Sequence, residues 1–178
     1  YTLSDAVMDL NHIPIEDEGA LVRQIAVCMN DLQTLDMDSC GVSNEDMAAI
    51  RDAYPNIKGV WRIWFGDRLS YSVRTDVERI LASNPGMGGE LTGENTGSLK
   101  YCTKVRYLDL GHNTELSTVE FVRGMPDLEV LIIAMTQISD ISALAECPKL
   151  EYLELNSSPV SSLDALKDAK ALRHLNIA

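Results

Sequence analysis

Four cysteines (Cys28, Cys40, Cys102 and Cys147) and three histidines (His12, His112 and His174) are the side chains best suited to metal, redox or nucleophilic chemistry in this chain of 178 residues. Their spacing does not favour such chemistry. Cys102 and Cys147 take equivalent places two structural repeats apart, with Met125 between them. In a ladder of parallel strands that puts their Cα atoms about 10 Å apart, beyond disulfide reach. All four cysteines are therefore expected as free, buried thiols. His12 and His174 are six strand steps apart in the same reading, about 29 Å, too far to share a zinc ion. Asp31, Asp36, Asp38 and Asp46 do not form a loop of alternating calcium ligands with a glycine hinge. Pro85-Gly-Met-Gly-Gly89 has neither the Lys-Ser or Lys-Thr nor the leading apolar strand of a phosphate loop, and reads as a linker. No Ser, Cys or His pattern matches a nucleophile constellation. The expectation is a protein with no cofactor and no metal that is not an enzyme.

The periodicity that positions these residues is plain between 105 and 178. Leu128, Leu150 and Leu172 follow one another at intervals of 22 residues, and Val105 precedes Leu128 by 23. Each anchor has an aliphatic residue at +3 and +5: Leu108 and Leu110, Leu131 and Ile133, Leu153 and Leu155, Leu175 and Ile177. Side chains two apart lie on one face of a strand, so each pair marks a short strand with a buried side. Recurrence at this period is a leucine-rich repeat. The predicted fold is α/β, a right-handed β-α superhelix or solenoid with a parallel sheet on its concave face and short helices on its convex face. Earlier units are anchored at Leu10, Leu32 and, less regularly, Ile57, giving seven strands in all. A bulge that turns Ile63 and Phe65 inward would repair the Ile57 unit.

Helical crossings are predicted over 19–30, 44–53, 118–123, 143–146 and 163–169. Ser43 or Asn44 caps the second, and Ser117 with Glu120 has capping-box spacing. An apolar residue at −3 (Met29, Tyr54, Cys102, Met125, Cys147, Ala169) points inward. A small residue at +8 (Cys40, Asn113, Thr136, Ser158) satisfies backbone groups where the chain leaves the strand. Residues 1–178 read as one domain, interrupted by a glycine-rich insertion over about 66–98. There Thr75 and Glu78 suggest a capped helix within 73–82.

Net charge of −12 and a pI near 4.5 argue against nucleic acid or an anionic membrane surface as partner. No run of eighteen apolar residues exists to insert into a bilayer. Both ends read as cut, so a missing targeting signal has little weight.

The stretch Gln137-Ile-Ser-Asp-Ile-Ser-Ala-Leu144, followed by Pro148-Lys-Leu-Glu-Tyr-Leu-Glu-Leu155, resembles the 22-residue repeats of bacterial internalin-like proteins and of eukaryotic phosphatase-1 regulatory subunits. It departs from that pattern at Ala143, where Pro is common, and at Thr136 and Ser158, where Asn is usual. The N-terminal half is similar to repeat proteins, often lipoproteins, of anaerobic Gram-positive bacteria. The resemblance implies a cell-surface or secreted bacterial setting and recognition of another macromolecule. Free thiols argue the other way, for a cytoplasmic one.

The solvent side of the strands carries the functional expectation. Trp61 or Trp64, Tyr107, Val130, Ile132 and Tyr152 form an apolar centre there, with Asp109 and Glu154 adding charge selectivity. That is the make-up of a protein or peptide recognition surface. A glycan ligand, self-association through an uncapped edge strand, a spacer role, or an insertion folded over this face are the alternatives.

Overall fold

The structure is a computed structural model that describes residues 2–84 and 91–178; the predicted linker 85–89 lies outside them. The chain divides into two compact units, Tyr1–Arg62 and Ile63–Ala178.

In the first unit, β1 (Val7–Asp9), α1 (Ala20–Cys28), β2 (Thr34–Asp36), α2 (Asn44–Ala53) and β3 (Lys58–Val60) alternate, and the strands form one parallel sheet in chain order. Ser43 caps α2, its hydroxyl accepting from the Asp46 N–H at 3.1 Å. Acidic Glu45 and Asp46 occupy the first turn and Arg51 the last, matching the helix dipole. The register corrects two anchors. Met8 lies opposite Leu35, so Leu10 is the +5 residue of its unit, and the anchor is Asp5. His12, Pro14 and Glu16 then fall beyond the strand. Gly59, not Val60, is opposite Leu35, so the anchor of that unit is Asn56 rather than Ile57. A Cβ on Gly59 would meet the Arg51 Cβ at 3.2 Å, so the absent side chain lets α2 lie close to β3.

β4 (Arg62–Phe65), which begins on the last residue of the first unit, pairs with β5 (Tyr71–Arg74) as a two-stranded sheet. A second sheet holds β6 (Arg79–Leu81), β7 (Tyr107–Asp109), β8 (Val130–Ile132), β9 (Tyr152–Glu154) and β10 (His174–Asn176), all parallel. Ile80, Leu108, Leu131, Leu153 and Leu175 lie in one column, the first four buried. Ile63 and Phe65 are buried, as expected.

The insertion is a further repeat. The predicted helix within 73–82 is absent: β5 runs to Arg74, the chain turns, and β6 joins the edge of the sheet beside β7. Its anchor is Val77, with Ile80 at +3 and Ala82 at +5, both buried. The β-branched residues Val73, Val77 and Ile80, together with the pairing offered by β7, override the cap-like spacing of Thr75 and Glu78.

The crossings of the second unit are 3-10 turns: Gly97–Tyr101, Glu120–Gly124, Ser142–Glu146 and Asp164–Leu166. The predicted Ser117 cap is not formed; Thr118 Oγ1 accepts from the Glu120 N–H instead. The residues predicted at −3 close these turns and the two α-helices alike. Met29, Tyr54, Cys102, Met125, Cys147 and Ala169 each donate their N–H backward into the turn, and each carbonyl receives the N–H three residues on.

Candidate functional site

Strand register builds two rows on the open side of the five-stranded sheet. Arg79, Tyr107, Val130, Tyr152 and His174 form the first; Leu81, Asp109, Ile132, Glu154 and Asn176 form the second. Six predicted site residues are brought together here: Tyr107, Asp109, Val130, Ile132, Tyr152 and Glu154, all half-buried. Of the insertion, Arg79–Leu81 joins the edge of this sheet beside Tyr107–Asp109.

The two tryptophans separate. Trp61 is fully buried, its indole N–H donating to Asn44 Oδ1 at 2.9 Å and the Arg51 guanidinium 5.2 Å from its ring. It is a core residue of the first unit, as is Val60 beside it. Trp64, the other candidate, is 50% exposed but stands on β4, in the two-stranded sheet rather than on the rows.

Within the first row the rings are engaged sideways. The Arg79 guanidinium lies 4.2 Å from the Tyr107 ring centroid, and the Tyr152 and His174 rings stack at 4.1 Å with planes 5° apart. Stacking between adjacent strands turns the ring faces along the ladder and their edges outward. The Tyr152 hydroxyl donates to the Glu154 carboxylate, and that bond, with the carboxylate charge, pushes the phenol above its ordinary pKa. Asp109 Oδ1 accepts from the Gly111 N–H at 3.1 Å.

Arg79 and Leu81 were not anticipated. The signal for them was Val77, Ile80 and Ala82 at anchor, +3 and +5, placed 28 residues before Val105 rather than 22.

The four thiols are free; Cys40, Cys102 and Cys147 are buried, but Cys28 is exposed on α1, against expectation. Cys28 is the last residue of α1 and lies on the side opposite Val22 and Ala26, the buried residues of that helix. Burial pushes the Cys147 thiol up to about 11 and raises that of Cys40. Among the described residues no group of three His, Cys, Asp or Glu side chains is placed to hold a metal ion.

Comparison with known proteins agrees with this geometry. A family model described as leucine-rich repeats (2 copies) matches residues 126–168, and a single leucine-rich-repeat model matches 28–50 and 101–118. The matched stretches are leucine-rich repeats, and the chain has the leucine-rich-repeat fold. Its fold is shared with bacterial internalins: an internalin of Listeria monocytogenes is 21% identical with a TM-score of 0.52, over 86% of this chain and 36% of that one. Internalin C2 of the same organism is 20% identical with a TM-score of 0.50, over 88% of this chain and 56% of that one. The chain thus spans about a third to a half of the length of these proteins. No curated protein matches its sequence.

Proposed function

We propose that the chain is a non-catalytic recognition module that binds a protein or peptide through the open face of the five-stranded sheet. One observation carries this reading: Tyr107, Val130, Ile132 and Tyr152 lie side by side in register, half-buried, with charged and polar side chains around them. A contiguous apolar centre inside a polar rim is the anatomy of an interface. Aromatic anchors there carry much of the energy when a partner excludes water. The ring geometry disfavours the glycan alternative. A sugar stacks on an outward-facing ring, whereas Tyr107 and Tyr152 present edges outward and have faces occupied by Arg79 and His174. A bacterial cell-surface or secreted setting belongs to the same proposal; burial shields Cys40, Cys102 and Cys147 from an oxidising exterior.

The test is selection from a displayed library of random peptides. Enriched peptides should bind the wild-type chain and lose at least about tenfold in affinity on Tyr107→Ser/Ile132→Ser. The same double variant should retain most of its melting temperature, since neither side chain is in the core. Binding that survives it would place recognition elsewhere.

A further inference from the structure

Several acidic side chains of the second unit have cations on the chain itself. Arg106 takes Glu129 at 2.7 Å and reaches Glu78 at 3.9 Å. Arg123 bridges Glu120 and Glu146, and Lys149 Nζ lies 2.6 Å from Asp127. The two carboxylates on the recognition face are different. Neither Asp109 nor Glu154 has a Lys, Arg or His within ion-pair distance among the described residues. Arg79, the cation nearest in the rows, is engaged by the Tyr107 ring.

These carboxylates are also held in place. Asp109 Oδ1 is fixed by the Gly111 N–H and Glu154 Oε1 by the Tyr152 hydroxyl, which leaves Oδ2 and Oε2 without a protein hydrogen bond among the described residues. The register puts Ile132 directly between them, on the middle strand of three. Their Cα atoms are therefore two strand steps apart, about 10 Å. Glu is the longer side chain and can lean toward Ile132. Such a space suits a planar guanidinium, whose several donors can serve two carboxylates, or an ammonium. The aliphatic stem of either cation would lie on Ile132 and Val130.

We infer that the recognition face selects a peptide segment carrying an arginine or lysine, its cation seated over Ile132 between Asp109 and Glu154; this rests on the peptide-binding reading above. Charge complementarity identifies the occupant. A neutral or acidic segment would leave two fixed carboxylates stripped of water without a partner, a desolvation cost that the cation offsets.

The experiment extends the displayed-peptide selection. Enriched sequences should contain arginine or lysine, and replacing that arginine with citrulline in the synthetic peptide should weaken binding to wild type about tenfold. Against Asp109→Asn/Glu154→Gln, which keeps shape and hydrogen bonding but removes the charge, arginine and citrulline peptides should bind alike. Affinity should also fall with added salt for wild type and not for that variant. Peptides that bind, are lost on Tyr107→Ser/Ile132→Ser, and yet show no arginine preference would overturn the cation site and leave the recognition face standing. No enrichment at all would overturn both.

Discussion

Asn113 illustrates what a single side chain contributes to this fold. Fully buried, it donates from Nδ2 to the carbonyls of Ala82 and Leu110 and accepts at Oδ1 from the Leu91 N–H. One amide thus satisfies backbone groups that no strand ladder reaches. Thr136 and Ser158 do the same with hydroxyls, both donating to the Ile133 carbonyl at 2.9 Å. Asn113→Ala should lower stability by roughly 2–4 kcal/mol in chemical denaturation, because it strands several buried groups together. The +8 slot was legible because small polar residues recur there; the partners were not, since two of Asn113's four, Ala82 and Leu91, come from the insertion. On the open face, Glu154→Gln should bring the Tyr152 phenol back down toward its ordinary pKa, read by alkaline difference absorbance, because the raised value comes from the carboxylate bond and charge. For the thiols, Ellman's reagent should label Cys28 quickly in the native protein, and the three buried cysteines only after unfolding.

A short repeat excludes an α-helical crossing behind its strand, while a longer one permits but does not require it: the 28 residues from Val77 to Val105 cross by a 3-10 turn of five residues. Asp5 to Leu32 spans 27 residues and Leu32 to Asn56 spans 24, and these units hold α-helices of nine and ten residues. Units of 22 and 23 residues leave space only for 3-10 turns of three or five. Those turns pack tightly: a Cβ on Gly124 would stand 2.2 Å from the Lys100 carbonyl oxygen in the turn before it. Gly124→Ala should therefore cost about 1–3 kcal/mol, seen as a lower melting temperature, where the same change at Gly97, with open space around it, should not. The misplaced Leu10 anchor has an element-level cause. Leu10, Ile13 and Ile15 mimic the aliphatic triplet, but the left-handed residue that ends the strand fixes the true frame. His12, Ser39, His112, Met135 and Ser157 all have positive φ at +7 from their anchors. Nothing in the identity of a Ser or Met announces that conformation.

For the molecule as a whole, the charge balance shapes its response to acid. Asp127 is held below the usual carboxylate range by its bond to Lys149, and Asp140 and Asp5 by hydrogen bonds from Ser142 and Thr2. A carboxylate with a lowered folded pKa stabilises the fold above its unfolded pKa and loses that contribution as pH falls through the folded value. The melting temperature should thus decline below about pH 4, where the unfolded chain takes up protons first. A melting temperature that rises steadily from pH 4 to pH 2 would contradict this. The repeat was readable across most of the chain because one aliphatic triplet dictates one strand. The division into Tyr1–Arg62 and Ile63–Ala178 falls where that triplet fails, at Trp61, Ile63 and Phe65.

By itself, the sequence determined the repeat, the parallel ladder, the column through Leu108, Leu131, Leu153 and Leu175, and the residues on its open side. A buried aliphatic residue at a fixed interval permits no other stacking. Only the tertiary structure decided that residues 77–82 are a strand, that Trp61 is core while Trp64 is exposed, and that Arg79 joins the face. Each depends on a partner distant in sequence: β7 for the strand, Asn44 and Arg51 for Trp61, Tyr107 for Arg79. Local pattern carries the period of a fold; what each side chain meets is set by the neighbour that the period brings beside it.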